Sequence, residues 1–248
     1  MNHQNPPKAL AAMQPYFFPY LGYFSLIRES DFFIFFDTPQ ISNRGWMYRN
    51  RILSQNNEFN YIRVTISNRS QHTNIKDVRI FEPTEWQKNF FSQLEVYKKK
   101  APFYPETIEF LHEILNTPYE MLSELNIATT ARICNYLSIR LNYNIFSQMD
   151  LPVVPVTSSD EWGLNMTKAM GYRRYINAIG GETFFDKRKY ENSGIKLEFI
   201  HNRLREYNQF SDRFTAGLSI IDAMMFCTPE EIRQLIDDYE IVEGQSLP

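Results

Sequence analysis

The chain has 248 residues, a formal net charge of −3 and 43% hydrophobic residues, enough to bury a core in one generous domain or two small ones. That balance argues against a protein whose main business is gripping a nucleic-acid backbone, and leaves such a partner only a local basic patch. Two cysteines, Cys134 and Cys227, form no C-x-x-C pair and lie near no histidine, so neither a disulfide framework nor a zinc site is indicated and a reducing cytoplasm fits. The most hydrophobic run, Phe32 to Phe36, is only strand-sized, so no membrane span is expected, and the N-terminal His3, Pro6, Pro7 and Lys8 lack the apolar core of a secretory signal.

In chain order, Ala9 to Gln14 reads as a strand, Leu21 to Ser30 as a helix and Asp31 to Phe36 as a second strand, parallel to the first through a right-handed crossover. Pro15 and Pro19 stiffen the first connection by fixing φ, and Gly22 permits a close backbone approach. Tyr16, Phe17, Phe18, Tyr20 and Tyr23 would be costly to leave in water, so they pack inward or line a pocket. Consecutive apolar residues in the second strand imply burial on both faces and a central place in the sheet. Its carboxyl end delivers Asp37 and Gln40 to the same edge as Gln14, where ligands gather in open α/β sheets.

Ser42 to Arg51 concentrates Arg44, Trp46, Arg49, Asn50 and Arg51 in what reads as a loop. Guanidinium forks suit phosphate oxygens, amides suit hydroxyls and an indole offers a platform. Asn60 to Ile66 and Ile75 to Phe81 alternate as two antiparallel strands, with Ser67 to Asn74, including Arg69 and His72, as a flap between them. Helical spacing over Thr84 to Lys99, Pro105 to Asn116 and Met121 to Leu141 predicts a helical block at about 84–142. Strands are expected at Val153 to Val156, Arg174 to Ala178 and Ile195 to Ile200, with Thr157 to Asp160 as another cleft-facing loop and a turn at Gly180-Gly181. Helices around Ser219 to Phe226 and Pro229 to Tyr239 close the chain, the second capped by Thr228. The expected fold is a single α/β domain over 1–248: a mixed, mostly parallel sheet with flanking helices, Rossmann-like in its first half, with a helical insertion.

Taken in order, Gln14-Pro15-Tyr16-Phe17-Phe18-Pro19-Tyr20-Leu21-Gly22-Tyr23-Phe24, a short strand ending at Asp37 and Gln40, and Gly45-Trp46-x-x-Arg49-Asn50-Arg51-Ile52 resemble the WbqC-like family. The likeness continues through Tyr175 with Gly180-Gly181, Gly194-Ile195-Lys196-Leu197, Tyr207 with Gln209, and Leu218-Ser219-Ile220-Ile221-Asp222. The resemblance implies a bacterial protein of surface-polysaccharide, O-antigen or lipopolysaccharide, biosynthesis. It implies a transferase that attaches glycine or another aminoacyl group to the amine of a nucleotide-linked amino sugar. Such a reaction needs an activated amino-acid donor, whether an adenylate, a thioester or an aminoacyl-tRNA, together with a base and oxyanion donors.

Candidates exist for each role. Asp37 and Asp222 are possible bases or amine-binding carboxylates; Arg44, Arg49, Asn50 and Arg51 could hold phosphates. Gln14, Gln40, Tyr207 and Gln209 could read sugar or amide groups; Tyr16, Tyr20, Tyr23 and Trp46 would form walls, and Ser219 belongs to the family motif with Asp222. A weaker likeness sets P-x-x-x-Y-L-G-Y beside the P-x-x-x-H-x-G-H of nucleotidylyltransferase folds, with Tyr20 and Tyr23 in place of histidines that approach ATP. Two alternatives therefore stand beside the transferase: a non-catalytic module binding sugar nucleotides or polysaccharide intermediates, and an ATP-dependent adenylate-forming amide ligase. No cofactor is identified, and no histidine or carboxylate spacing suggests a metal site.

Overall fold

Small side chains in the first strand let helices approach both faces of a parallel sheet, and this organises the molecule. The computed structural model describes residues 8–55, 58–67, 72–209 and 213–244. β1 (Ala9–Met13) runs into α1 (Leu21–Glu29) and β2 (Phe32–Phe35) as a parallel crossover. A two-stranded ribbon, β3 (Arg49–Leu53) and β4 (Phe59–Arg63), precedes the helical insertion α2 (Pro83–Leu94), α3 (Tyr104–Leu115) and α4 (Leu122–Tyr136). The chain then returns through β5 (Tyr143–Ile145), α5 (Glu161–Ala169), β6 (Arg174–Ala178), α6 (Lys187–Glu191) and β7 (Lys196–Asn202). α7 (Ile220–Phe226), α8 (Pro229–Asp237) and β8 (Tyr239–Glu243) complete it.

The main sheet has the order β5-β2-β1-β6-β7-β8 and is parallel except for β8. Alternate residues of β1 feed two cores: Ala9 and Ala11 face α1, α8 and the helical insertion, while Leu10 and Ala12 face α5 and α6. The β1–β2 crossover thus lies on one face and the β6–β7 crossover on the other. The switch between them opens a crevice at the carboxyl ends of β1 and β6, the usual place for a ligand in this architecture. At the opposite edge, buried Arg174 pairs with Glu198 and, at 2.7 Å, with Glu29, which also accepts the Tyr239 hydroxyl at 2.6 Å. These bonds tie α1, β6, β7 and β8 together away from the crevice.

Several local expectations change. The arginine-rich segment ends as a strand, and β4 pairs with it, Arg49 opposite Arg63, so the hairpin expected between Asn60–Ile66 and Ile75–Phe81 is reduced to one bridge, Ile66 to Ile80. Ile75–Asp77 is a single tight turn, because Ile75 and Val78 are both buried at a spacing that suits a turn and not a pleat. Residues 68–71 of the expected flap, with Arg69, lie outside the described residues. Val153 to Val156 joins no sheet, since Pro152 and Pro155 remove ladder donors on either side. α4 stops at Tyr136, where Ser138 (φ 53°) turns the chain toward β5, and α8 stops at Asp237 so that β8 can pair with β7. Among the described residues no helix is long and apolar enough to cross a membrane.

Candidate functional site

A cavity of about 700 Å³ opens at the switch point, within the roughly 300–1,000 Å³ of small-molecule sites. One wall is the connection from β1 to α1. Its aromatic residues divide: Phe17, Phe18 and Phe24 are wholly buried in the core, whereas Tyr16, Tyr20 and Tyr23 line the cavity. Phe18 adopts φ 41°, a left-handed conformation that costs a non-glycine residue roughly 1–2 kcal/mol. Surrounding bonds hold it there. Asn50 Nδ2 donates to the carbonyls of Phe17 (3.0 Å) and Phe18 (2.8 Å), and Ser219 Oγ donates to the Phe18 carbonyl at 2.7 Å. Asn126 Nδ2 donates to the carbonyls of Pro15 (2.9 Å) and Met47 (2.7 Å), joining this wall to the Trp46 segment.

The P-Y-L-G order has a steric reason. The Tyr20 ring folds back over α1, and a Cβ on Gly22 would stand 2.6 Å from its Cε2. Gly22→Ala therefore displaces the ring into the cavity. Because alanine favours the helix by about 1 kcal/mol, the expected result is a nearly unchanged melting temperature with several-fold weaker ligand binding, read by thermal melts and titration calorimetry.

Burial pushes the Tyr16 phenol up to about 12, with Tyr20 adding to the shift, and raises Tyr20 and Tyr23 as well. All three remain protonated donors at neutral pH. Tyr23 spends its hydroxyl on the Gln14 carbonyl at 3.0 Å, whereas the Tyr16 and Tyr20 hydroxyls have no hydrogen-bond partner among the described residues. Across the mouth Arg51 is the one charged side chain of the lining among the described residues. Its Nη2 donates to the Gly217 carbonyl at 2.8 Å, and its guanidinium stacks 5.4 Å from Trp46.

Of the residues selected from sequence, Gln14, Tyr16, Tyr20, Tyr23, Trp46, Asn50 and Arg51 line one cavity. Gln40 and Arg44 are exposed outside it, and Arg49 lies outward on the ribbon. Asp37 is 2% exposed beyond the lining and accepts Ser147 N (3.0 Å) and Oγ (2.6 Å), fastening β2 to the turn after β5. Asp222 is fully buried behind Ser219. Its Oδ1 accepts Tyr97 (2.7 Å), and its Oδ2 accepts Tyr207 (2.6 Å) and Gln209 Nε2 (2.7 Å). Burial raises its pKa from 3.8 to about 6 despite these donors.

The far wall was less visible in the sequence. Asn177 follows β6 toward the switch point, its amide held by the Tyr175 hydroxyl (3.1 Å) and Ala178 N (2.7 Å), and the rule of strand carboxyl ends could have found it. Trp162 and Ser159 come from the Thr157–Asp160 loop and α5. Lys189 anchors that loop through Ser158 Oγ (2.7 Å), Asp160 (3.1 Å) and Glu161 (3.0 Å). Among the described residues no carboxylate, histidine or cysteine lines the cavity, and no group of three or more such side chains is arranged to hold a metal ion.

A doubly wound domain with a tyrosine-walled crevice and a single arginine at its mouth is the class of protein described so far. Residues 14–234 match the WbqC-like protein family, and the chain belongs to it. It is 28% identical over 220 residues to uncharacterized protein Rv1507c of Mycobacterium tuberculosis, covering 88% of this chain and 93% of that one. No solved structure matches the chain.

Proposed function

We propose that the cavity binds a nucleotide-linked amino sugar and that the protein transfers a glycyl or other aminoacyl group from an already activated donor to the sugar amine. The setting of this reading is the cytoplasmic stage of bacterial surface-polysaccharide biosynthesis. The observation that carries it is the character of the lining: one arginine for a diphosphate, aromatic walls for a base or sugar face, and free tyrosine hydroxyls and the Gln14 amide for polar groups.

In the reaction the amine nitrogen forms a bond to the acyl carbon as the bond to the donor's leaving group breaks. The proton released by the amine ends on that leaving group. Tyr16, Tyr20 and Gln14 are the donors available to a tetrahedral oxyanion. Among the described residues the lining holds no carboxylate, histidine or cysteine, so the leaving group itself takes the proton, which suits a thioester or ester donor. Asp37 and Asp222 act in this reading as positioning residues, because their oxygens are spent on donors that hold the walls in place. Adenylate formation from ATP gains little support, since Tyr20 and Tyr23 cannot supply the cations of an H-x-G-H pair.

The second reading, a non-catalytic module for sugar nucleotides, is favoured by that same absence of an ionisable base. Incubation with a panel of nucleotide-linked amino sugars and with glycyl thioester or charged tRNA, followed by mass analysis, separates the two. A glycyl adduct on the sugar is expected. Tight calorimetric binding with no adduct from any donor would assign the protein to the module.

A further inference from the structure

The outward face of the β3–β4 ribbon gathers arginines and aromatic rings. The register sets Arg49 opposite Arg63 and Arg51 opposite Tyr61, so these four residues and Phe59 share one face, while Asn50, Ile52 and Ile62 turn inward and are buried. Like charges directly opposite one another on a ribbon are destabilising. Arg28, Arg79, Arg174 and Arg203 each have a carboxylate partner, but among the described residues Arg44, Arg49, Arg51 and Arg63 have none. Aromatic rings hold Arg49, Arg51 and Arg63 instead. Arg49 lies 4.4 Å and Arg63 5.5 Å from the Tyr61 ring, and Arg51 sits 5.4 Å from Trp46 and 5.0 Å from Phe59. These ring contacts hold each guanidinium without neutralising it, and the donors not given to the Arg44 and Gly217 carbonyls stay available to an anion. The Nε atoms of Arg49 and Arg51 are buried without a partner.

The strip is continuous with the cavity, because Trp46 and Arg51 belong to both. At its outer end Phe59, Tyr61 and Arg63 border a groove of about 720 Å³ that adds the amides of Asn60, Asn89 and Gln93. Trp86, 2% exposed, also borders that groove, and its Nε1 is buried with no partner. A nucleotide sugar in the cavity engages Arg51; Arg44, Arg49 and Arg63 lie beyond its reach and call for a longer anion that passes the mouth.

We infer that this face docks single-stranded RNA, the 3′ end of an aminoacyl-tRNA, so that its terminal ester enters the cavity beside the sugar amine. The inference rests on the transferase reading and names its donor. Alternating cations and rings with adjacent amides are what an unpaired strand requires: charge for the phosphodiester, π-faces and hydrogen-bond groups for the bases. The chemistry balances, since the amine nitrogen bonds to the acyl carbon, the ester C–O bond breaks, and the ribose oxygen takes up the proton lost by the amine. The attraction comes from these arginines and not from the chain's net charge of −3, and the binding is salt-sensitive.

The test uses the full chain and fluorescence anisotropy with an uncharged RNA hairpin carrying a single-stranded 3′ C-C-A end. Three phosphate contacts predict a loss of about 10- to 20-fold in affinity between 50 and 200 mM salt. Arg49→Gln with Arg63→Gln is expected to weaken RNA binding at least tenfold and flatten the salt slope, with nucleotide-sugar binding by calorimetry unchanged. Arg63→Gln alone, at an exposed position, provides the same readout if the double variant melts early. Wild-type protein that binds nucleotide sugar but not the hairpin, or hairpin binding untouched by either variant, overturns the docking assignment and leaves the transferase reading standing. Binding of neither ligand sinks both. Displacement of the RNA by an acidic polysaccharide at lower concentration than by competing RNA assigns the strip to polysaccharide and also overturns the proposal.

Discussion

Asp222→Ala is expected to cost about 3–5 kcal/mol and to lower the melting temperature by roughly 10 °C, as read by calorimetry. The substitution leaves two tyrosine hydroxyls and an amide, from Tyr97, Tyr207 and Gln209, facing a buried methyl group. Tyr97 also accepts Leu53 N at 2.9 Å, so the loss spreads from α7 to β3 and, through Tyr207 and Gln209, toward Leu204 of the cavity lining. Ligand affinity is expected to fall with stability.

Asp222→Asn separates charge from shape. The carboxyl group titrates near 3.8 when unfolded and at about 6 when folded, so folding favours its protonated form. Its contribution is fully present below pH 3.8 and is lost as pH rises through about 6. The asparagine variant has no such titration. Wild type is therefore expected to lose about 2.5 kcal/mol relative to Asp222→Asn between pH 4 and pH 7.5. Denaturant midpoints that move in parallel for the two proteins across that range would show that Asp222 does not titrate in it.

The parts legible in the sequence were those where one physical constraint dominates. Two prolines and a row of aromatic residues between an apolar strand and a helix could be stabilised only by burial, and Met13 to Phe24 does form a cavity wall. Consecutive apolar residues at Phe32 to Phe36 placed β2 inside the sheet. Segments whose structure depends on distant partners were not legible. Arg49 to Leu53 reads as a polar loop, yet it becomes a strand because Asn50 and Ile52 are buried on one side while the arginines stack on rings on the other. β5 is three residues long, too short for alternation to register, and forms by pairing with β2. Asp37 suggests a base because it ends a strand beside the cleft, and Asp222 because it belongs to the family motif; yet Asp37 is spent on Ser147, 110 residues away, and Asp222 on Tyr97, 125 residues away, as well as on Tyr207 and Gln209. The far-wall side chains that line the cavity, among them Ser159, Trp162, Met166 and Asn177, carry no charge, so beyond the expected cleft-facing loop at Thr157 to Asp160 they gave no signal of chemistry.

Arg51→Ala is expected to weaken nucleoside-diphosphate binding by tenfold to a hundredfold, or about 1.5–3 kcal/mol for a charge-assisted contact, with little loss of stability. Arg51 supports no carboxylate, so truncation strands no buried charge; it gives up the Gly217 carbonyl bond and two ring stacks. Gly217, at φ 66°, is fitted to that bond, because an added Cβ would approach Arg51 Nη2 to 3.1 Å. Arg51→Lys should restore only part of the affinity, since an ammonium keeps the charge but loses the planar fork and the stacking between Trp46 and Phe59. Titration calorimetry with a nucleotide sugar, its nucleoside diphosphate and the free sugar decides the matter. If both variants bind all three ligands as wild type does, the diphosphate does not lie at the cavity mouth. If only the free sugar retains its affinity in Arg51→Ala, the arginine marks the anionic end and the tyrosine wall is left to the sugar.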